Sequence, residues 1–156
     1  MILSALIALF AAVDEDAIMV TLAFERMHCD ECKSELEASV KKMPGFKSVS
    51  VSGSSAVVTF DEKASVPAFN RLPKDLSLRS VTLSIRGTVS FAGDKATLVA
   101  RSGVTYALVN PDKSKTDAVG DLKKKLGGKN RFQVTGTLEG GKSIHLSSFQ
   151  AADWKD

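Results

Sequence analysis

The sequence is poor in cysteine and in aromatic residues. Only two cysteines occur in 156 residues, and Phe, Tyr and Trp together make up 6% of the chain. Two cysteines exclude the multi-disulfide framework that holds many small secreted domains together. Any core must therefore be built mainly from Val, Leu, Ile, Ala and the eight Phe residues. The length allows one domain or two small ones.

The sequence lacks the motifs that mark several classes of protein function. The chain has no Ser, His and Asp in a hydrolase order, no glycine-rich phosphate loop and no paired-carboxylate motif, so we do not expect an enzyme. The net charge is only +3, and no long Lys/Arg block is interleaved with aromatic residues, so nucleic acid is not an expected partner. The apolar runs are too short for a stable membrane span.

The amino terminus is apolar from Met1 to Val13 and then turns acidic at Asp14–Asp16. This length suits the apolar part of a secretory signal. We therefore expect residues 1–17 to be a signal peptide and the mature protein to be periplasmic or secreted. Because no Lys or Arg precedes the apolar run, a retained N-terminal anchor or a cytoplasmic protein stays open as the alternative.

The pattern from residue 18 to residue 86 predicts strand, helix, strand, strand, helix and strand. Apolar residues alternate in the strand segments and recur every three or four positions in the helical ones. The expected bounds, in chain order, are 18–25, 30–43, 47–51, 56–60, 65–72 and 80–84. The order βαββαβ is the split-βαβ, ferredoxin-like arrangement, which predicts a first domain over 18–86.

From residue 87 the pattern changes to short strands joined by tight turns. The expected strands are 88–91, 96–101, 105–109, 131–138 and 143–149, with one helix at 116–126. Five strands with a helix before the fourth predict a small, mostly-β barrel over 87–150. The fold class is thus α+β. The tail 151–156, including Trp154, is expected to be peripheral.

Both cysteines lie in Met27-His28-Cys29-Asp30-Glu31-Cys32, between the first strand and the first helix. Two thiolates separated by two residues at a helix start can converge on one ion, and the positive end of the helix dipole stabilises the anionic complex. Such a two-sulfur site suits soft copper(I) or mercury(II). Zinc or cadmium is also considered, but zinc would need further ligands from the chain, from water or from a second molecule.

Two histidines and two carboxylate residues are of types that can bind metals, but only His28 is a candidate ligand. His28 is a candidate third ligand or an exposed imidazole that tunes the local charge. Asp30 and Glu31 are explained by the preference of the first helical turn for carboxylates. His145 lies in an alternating strand without Cys, Asp or Glu at metal spacing nearby, so we expect it to be a structural or surface residue.

The motif Met27-x-Cys29-x-x-Cys32 after a strand, followed by βαββαβ spacing, resembles the heavy-metal-associated domain of copper chaperones, metal-ATPase modules and periplasmic mercury-binding proteins. The resemblance covers about residues 18–86. It implies that Cys29 and Cys32 bind the metal and that Met27 supports the loop from beneath. It also implies a metal-transporting membrane protein or a metal-delivering protein as partner, and a metal-bridged homodimer is a further expectation.

The sequence departs from this family at two places. Arg26 stands where the family usually has Gly, and the predicted second helix is short and contains Pro67. Copper chaperones often carry a Lys or Tyr near the metal after the second helix, which makes Lys74 a candidate charge-tuning residue. The C-terminal half more loosely resembles OB-like barrels of exported bacterial proteins, through Tyr106–Val109 and Phe132–Leu138.

Two other functions remain open for the C-x-x-C pair. The same arrangement at a helix start serves thiol-disulfide redox proteins. An exported envelope module that binds another protein could instead hold Cys29 and Cys32 as a structural disulfide, because an oxidising compartment closes adjacent thiols. The hairpin predicted directly after the first helix, together with Met27, favours metal binding over redox chemistry.

Overall fold

The computed structural model describes residues 17–66, 69, 72, 76–111 and 117–154. These residues form an α+β structure with two helices and eight strands. The elements are β1 Ile18–Phe24, α1 Asp30–Lys41, β2 Phe46–Ser52, β3 Ser55–Phe60, β4 Leu78–Ala92, β5 Lys95–Ala100, β6 Thr105–Val109, α2 Ala118–Lys125, β7 Arg131–Glu139 and β8 Ser143–Ala151. Within the described residues no helix is long and apolar enough to cross a membrane.

Three of the expected features fall wholly or largely outside the described residues. These are the signal segment, Lys74 and half of the second helix predicted over 65–72, including Pro67. The apolar residues behind this prediction are Val66, Phe69 and Leu72; Phe69 and Leu72 are buried, and Val66 is half-buried against the core. The apolar positions that predicted this helix therefore do contribute to the core.

Strands β2, β3, β1 and β4 lie side by side in that order, and every neighbouring pair is antiparallel. Val20 at the centre of β1 pairs with Val58 on β3 and with Leu83 on β4. All three side chains are fully buried, as the period of two predicts for a sheet with one covered face. We call these four strands and α1 the N-terminal layer.

Helix α1 follows from the spacing of its apolar residues. Leu36 and Val40, four positions apart, lie on one helical face and are fully buried. The helix ends at Lys41, two residues before the predicted end at Met43. It stops there because Pro44 and Gly45 follow, and Gly45 has a φ of +79°.

Strand β4 is longer than expected, since the strands predicted at 80–84 and 88–91 are a single strand, Leu78–Ala92. Residues 78–84 pair with β1, residues 82–88 with β7, and residues 87–92 with β5. Because residues 82–84 pair with β1 and β7 at once, these two strands occupy opposite edges of β4. The boundary expected between residues 86 and 87 falls inside this strand, and the division into two domains stays a prediction.

Strands β4 to β8 close into a five-strand barrel. Neighbouring strands pair in the cycle β4, β5, β6, β8, β7 and back to β4, and only the β6–β8 pair is parallel. Gly87 is the first residue of β4 that pairs with β5, three residues after the pairing with β1 ends at Ser84. A Cβ at this position would come within 2.5 Å of the Val99 carbonyl oxygen and 2.8 Å of Leu98 Cδ1, so the close approach of β5 requires glycine here.

Helix α2 connects β6 to β7 and is shorter than the predicted 116–126. Its buried residues include Leu122, which is fully buried. Asp117 caps its start, because Oδ1 accepts hydrogen bonds from Gly120 N and from Asn110 Nδ2, both at 2.9 Å. Asn110 Oδ1 in turn accepts from Val119 N. The cap therefore ties the end of β6 to the start of α2.

We expect Asp117→Ala to lower the Tm at neutral pH by removing this cap. The hydrogen bond from Asn110 and the one from Gly120 lower the pKa of the Asp117 carboxyl below its ordinary value of 3.8. The stability that the Asp117 carboxylate contributes is therefore fully present above pH 3.8. It is lost as the pH falls through the lower pKa of the folded state. The Tm of the wild type and that of the variant should differ at pH 7, and the difference should shrink as the pH is lowered below 3.8; a difference that does not change with pH would contradict this account.

The C-terminal tail is not peripheral, contrary to expectation. Two guanidinium groups contact the Trp154 ring, whose centroid is 5.1 Å from Arg101 Cζ and 4.8 Å from Arg131 Cζ. Arg131 Nη1 also donates a 2.7 Å hydrogen bond to the Trp154 carbonyl. Arg101 forms an ion pair at 3.3 Å with Glu62, which follows β3 of the N-terminal layer. Trp154 is thus held against two residues of the barrel region, Arg101 and Arg131.

Candidate metal centre

The C-x-x-C segment lies at the start of α1, as predicted. Cys29 is the N-cap residue, with extended backbone angles (φ −105°, ψ 154°). Its Sγ accepts a 3.1 Å hydrogen bond from Cys32 N, and its carbonyl accepts one from Lys33 N at 3.3 Å. One sulfur atom therefore occupies the position where a helix start offers free N–H groups to an anion.

The two sulfur atoms are joined in a disulfide, and the Cα atoms of Cys29 and Cys32 are 5.2 Å apart. This pairing brings the two predicted metal ligands together at one point. A disulfide offers no thiolate, so metal binding as predicted requires that the pair first be reduced. With two thiolates in its place, the donor set would be two soft sulfur ligands, which fits a soft ion.

The four named residues of the motif differ in exposure. Met27 is only 1% exposed and belongs to the core, in keeping with a support beneath the loop. His28 and Cys29 are exposed, whereas Cys32 is half-buried and packs against the core. A partner molecule would therefore reach Cys29 before Cys32.

Backbone hydrogen bonds hold the entry to this loop from two sides. Phe24 N donates to the carbonyl of Ser54 at 2.8 Å. Glu25 N donates to the carbonyl of Ser77 at 3.0 Å, and Arg26 N donates to that of Leu76 at 3.3 Å. The loop is thus anchored to the turn between β2 and β3 and to the residues that precede β4.

Charged side chains of both signs lie around the start of α1. Asp30 and Glu31 lie in the first turn, and both side chains are exposed. They interact favourably with the positive end of the helix dipole and add negative potential beside Cys29. Arg26 and Lys33 reduce this potential in part.

In the described part of the chain, no group of three or more His, Cys, Asp or Glu side chains is arranged to hold a metal ion. The site here is therefore built on the two cysteines. His28 as a third ligand stays a prediction, and Lys74 lies outside the described residues.

His145 has an acidic partner that the sequence reasoning did not find. Its Nε2 contacts the Glu139 carboxylate across the β7–β8 hairpin. The two residues are six positions apart in sequence, but the hairpin register sets Thr137 opposite His145 and Glu139 two residues further along the same strand. The expectation of a structural or surface histidine is unaffected, because this pair lies on the barrel, away from Cys29.

Sequence reasoning also missed the two residues that anchor the loop. Leu76 and Ser77 come just before β4 and contribute through their carbonyl groups. Any residue has a carbonyl, so no side-chain motif marks these positions. The pairing of Phe24 with Leu78 is what brings them to the loop, and that pairing is a tertiary feature.

Comparison with known proteins finds one related family. No curated protein and no solved structure matches the chain. Residues 21–76, about a third of the chain, match the model of the heavy-metal-associated domain. The matched range holds residues 21–24 of β1, all of α1, β2 and β3, both cysteines and Leu76, and it ends one residue before Ser77. Over residues 21–76 the chain is thus similar to the heavy-metal-associated domain, a module that binds heavy-metal ions.

Proposed function

We propose that the reduced chain binds a soft metal ion through the Sγ atoms of Cys29 and Cys32 and carries it to a partner protein. The observation that supports this proposal is the convergence of both sulfurs at the exposed start of α1, within the segment that matches the heavy-metal-associated domain. The donor set favours copper(I) or mercury(II), which accept two thiolates. Zinc or cadmium would need ligands beyond these two sulfurs.

The difference in exposure between the cysteines supports delivery by ligand exchange. A thiolate of the partner attacks the bound ion from the side of exposed Cys29 and gives an ion held by three sulfurs. One of the two bonds from this chain then breaks, and a second partner thiolate completes the transfer. Half-buried Cys32 is the ligand that leaves last, because packing shields it. We propose a metal-transporting membrane protein or a metal-delivering protein as this partner.

Opening the disulfide requires a reductant, and we propose a dithiol. One thiolate of the dithiol attacks a sulfur of the Cys29–Cys32 pair and forms a mixed disulfide, and its second thiol displaces the remaining sulfur. The dithiol is oxidised to a disulfide, and the two cysteines are reduced with uptake of two protons. Metal binding then releases these protons. A periplasmic or secreted location, also a proposal, makes this step necessary.

The finer description of the fold belongs to the same proposal. The antiparallel order β2-β3-β1-β4 with α1 after β1 supports a ferredoxin-like βαββαβ domain over 18–86. The cyclic strand order of β4 to β8, with α2 between β6 and β7, supports an OB-like domain over 87–150.

The test measures copper(I) uptake by the full chain in its reduced and disulfide forms. Each form is titrated anaerobically against a chromogenic copper(I) chelator, and parallel titrations use mercury(II), zinc and cadmium. We expect the reduced form to withdraw one copper(I) per monomer, or per pair of monomers, and the disulfide form to withdraw none, because only thiolates are ligands. Equal uptake by the two forms would refute the proposal.

The same samples distinguish the redox alternative, which the disulfide itself and the exposure of Cys29 favour. A thiol-disulfide redox protein should catalyse the reduction of insulin by a dithiol. Catalysis without metal uptake by the reduced form would replace the proposed function with the redox one. If neither activity is found, the pair is a structural disulfide in an envelope module.

A further inference from the structure

The segment just before β4 has an unusual backbone. Ser77 has a φ of +51° and is the one residue other than glycine with positive φ in the described part of the chain. Residues with a Cβ rarely adopt this left-handed region, and those that do cluster at functional sites. Ser77 adopts it within two residues of the pairing that joins β4 to β1.

The β1–β4 pairing is irregular at the same place. Ala23 pairs with Ser80 and Phe24 pairs with Leu78, so β4 has one extra residue, Arg79, opposite this step. Such a bulge bends the strand and changes its direction. On the N-terminal side of the bulge, the chain turns at Ser77, and two carbonyl groups face the residues that continue from β1.

These two carbonyl groups are the loop anchors already described. Ser77 O accepts from Glu25 N at 3.0 Å, and Leu76 O accepts from Arg26 N at 3.3 Å. The next residue of the loop is Met27, and both Met27 and Leu76 are 1% exposed in one core cluster. The left-handed turn at Ser77 thus lets residues 76 and 77 accept hydrogen bonds from the loop backbone, while the Leu76 side chain packs in the same core as Met27.

We propose that Ser77 is a positioning residue for the metal loop: its left-handed backbone sets the two carbonyls that hold residues 25–27 and so presets Cys29 and Cys32 for one ion. This inference rests on the proposed function. A loop that is already ordered loses less conformational freedom when it binds, and that saving appears as affinity. Ser77 acts through Glu25 and Arg26 and does not itself touch the metal.

The test compares Ser77→Gly with Ser77→Val in the full chain. Glycine adopts positive φ freely, whereas a β-branched residue strongly resists it. We expect the glycine variant to keep wild-type copper(I) affinity within about threefold and the valine variant to lose about tenfold or more. Ser77→Ala, which keeps a Cβ and removes the hydroxyl, should lie close to wild type because the anchors are backbone groups.

A second readout does not require metal. Amide hydrogen exchange at Glu25 and Arg26 should accelerate about tenfold or more in the valine variant, while amides in the barrel exchange as in wild type. If the valine variant does not fold, Ser77→Thr, a milder β-branched change, takes its place. Wild-type copper(I) affinity in the β-branched variant would overturn the positioning role, whatever its exchange rates.

The two proposals fail in different ways. If the wild-type reduced chain binds no copper(I), the proposed function fails, and the exchange rates alone then report whether Ser77 anchors the loop. If wild type binds copper(I) and the β-branched variant binds it equally well, the proposed function stands and the inference about Ser77 falls.

Discussion

Replacing Cys29 and Cys32 together with serine is expected to weaken copper(I) binding by more than about a thousandfold. Loss of an outer-shell partner already costs a metal site about 10–100-fold, and this variant removes both soft ligands. Serine hydroxyls are harder, more weakly binding ligands that do not replace thiolates for a soft ion. Competition with a copper(I) chelator measures the effect.

The serine variants suit this test because they preserve the helix start. Cys29 is the N-cap of α1, and serine is a preferred N-cap residue, so α1 should form in the variant. Equal far-ultraviolet circular dichroism and equal Tm against the reduced wild type would establish that the fold is intact. Uptake by the double variant at wild-type affinity would contradict the two-sulfur site.

His28→Ala is the matched control, since it changes the neighbour of Cys29 and leaves both sulfurs in place. A two-sulfur site predicts affinity within about threefold of wild type, and a third-ligand role predicts a loss of about 10–100-fold or more. The result therefore also decides the part that His28 plays.

The largest expected effect on stability comes from Leu83→Ala. Leu83 is fully buried and pairs with Val20 on β1 and with Gly136 on β7, so it packs where the N-terminal layer meets the barrel. Removing its side chain should cost about 2–5 kcal/mol in the free energy of unfolding. Urea denaturation, followed by circular dichroism, gives this value.

The same experiment tests whether the N-terminal layer and the barrel unfold together. Trp154 is the one tryptophan and contacts Arg101 and Arg131 of the barrel, so its fluorescence reports on the barrel. Because both parts share β4, the fluorescence and circular dichroism transitions should coincide and shift together in the variant. Two separate transitions, or a loss below about 1 kcal/mol, would contradict this expectation.

Thr82→Ala is the matched control for Leu83→Ala. Thr82 is the adjacent residue of β4, half-buried on the opposite face of the sheet. Its substitution removes few packed atoms, so it should change the free energy of unfolding by less than about 1 kcal/mol.

Local patterns in the sequence account for most of the elements. The alternation through Ile18, Val20 and Leu22 and the spacing of Leu36 and Val40 both predict buried faces that the structure has. They succeed because burial of one face follows directly from the period of side chains along a strand or a helix. The Met27-x-Cys29-x-x-Cys32 motif, set in the βαββαβ pattern, indicated the resemblance to the heavy-metal-associated domain, and residues 21–76 match the model of that domain.

Features that depend on distant pairing were missed. The two predicted strands on either side of Gly87 are one strand, because β5 and β7 approach the backbone there and no turn is needed. The stacking of Trp154 against Arg101 and Arg131 brings together residues from three separate segments. No periodicity within one segment can indicate such contacts.

That residues 1–17 direct export, and that Lys74 tunes the site, stay predictions.

The shared strand β4 limits how this protein could gain or lose residues in evolution. Leu83, Ile85 and Val89 all face the interior, so the inward positions keep the same parity through the part paired with β1 and the part paired with β5. Inserting one residue between them would turn one set outward. If recombination placed this barrel after another metal-binding module, the residues on both sides of the junction would have to keep alternate β4 positions facing the interior. A flexible linker imposes no such condition.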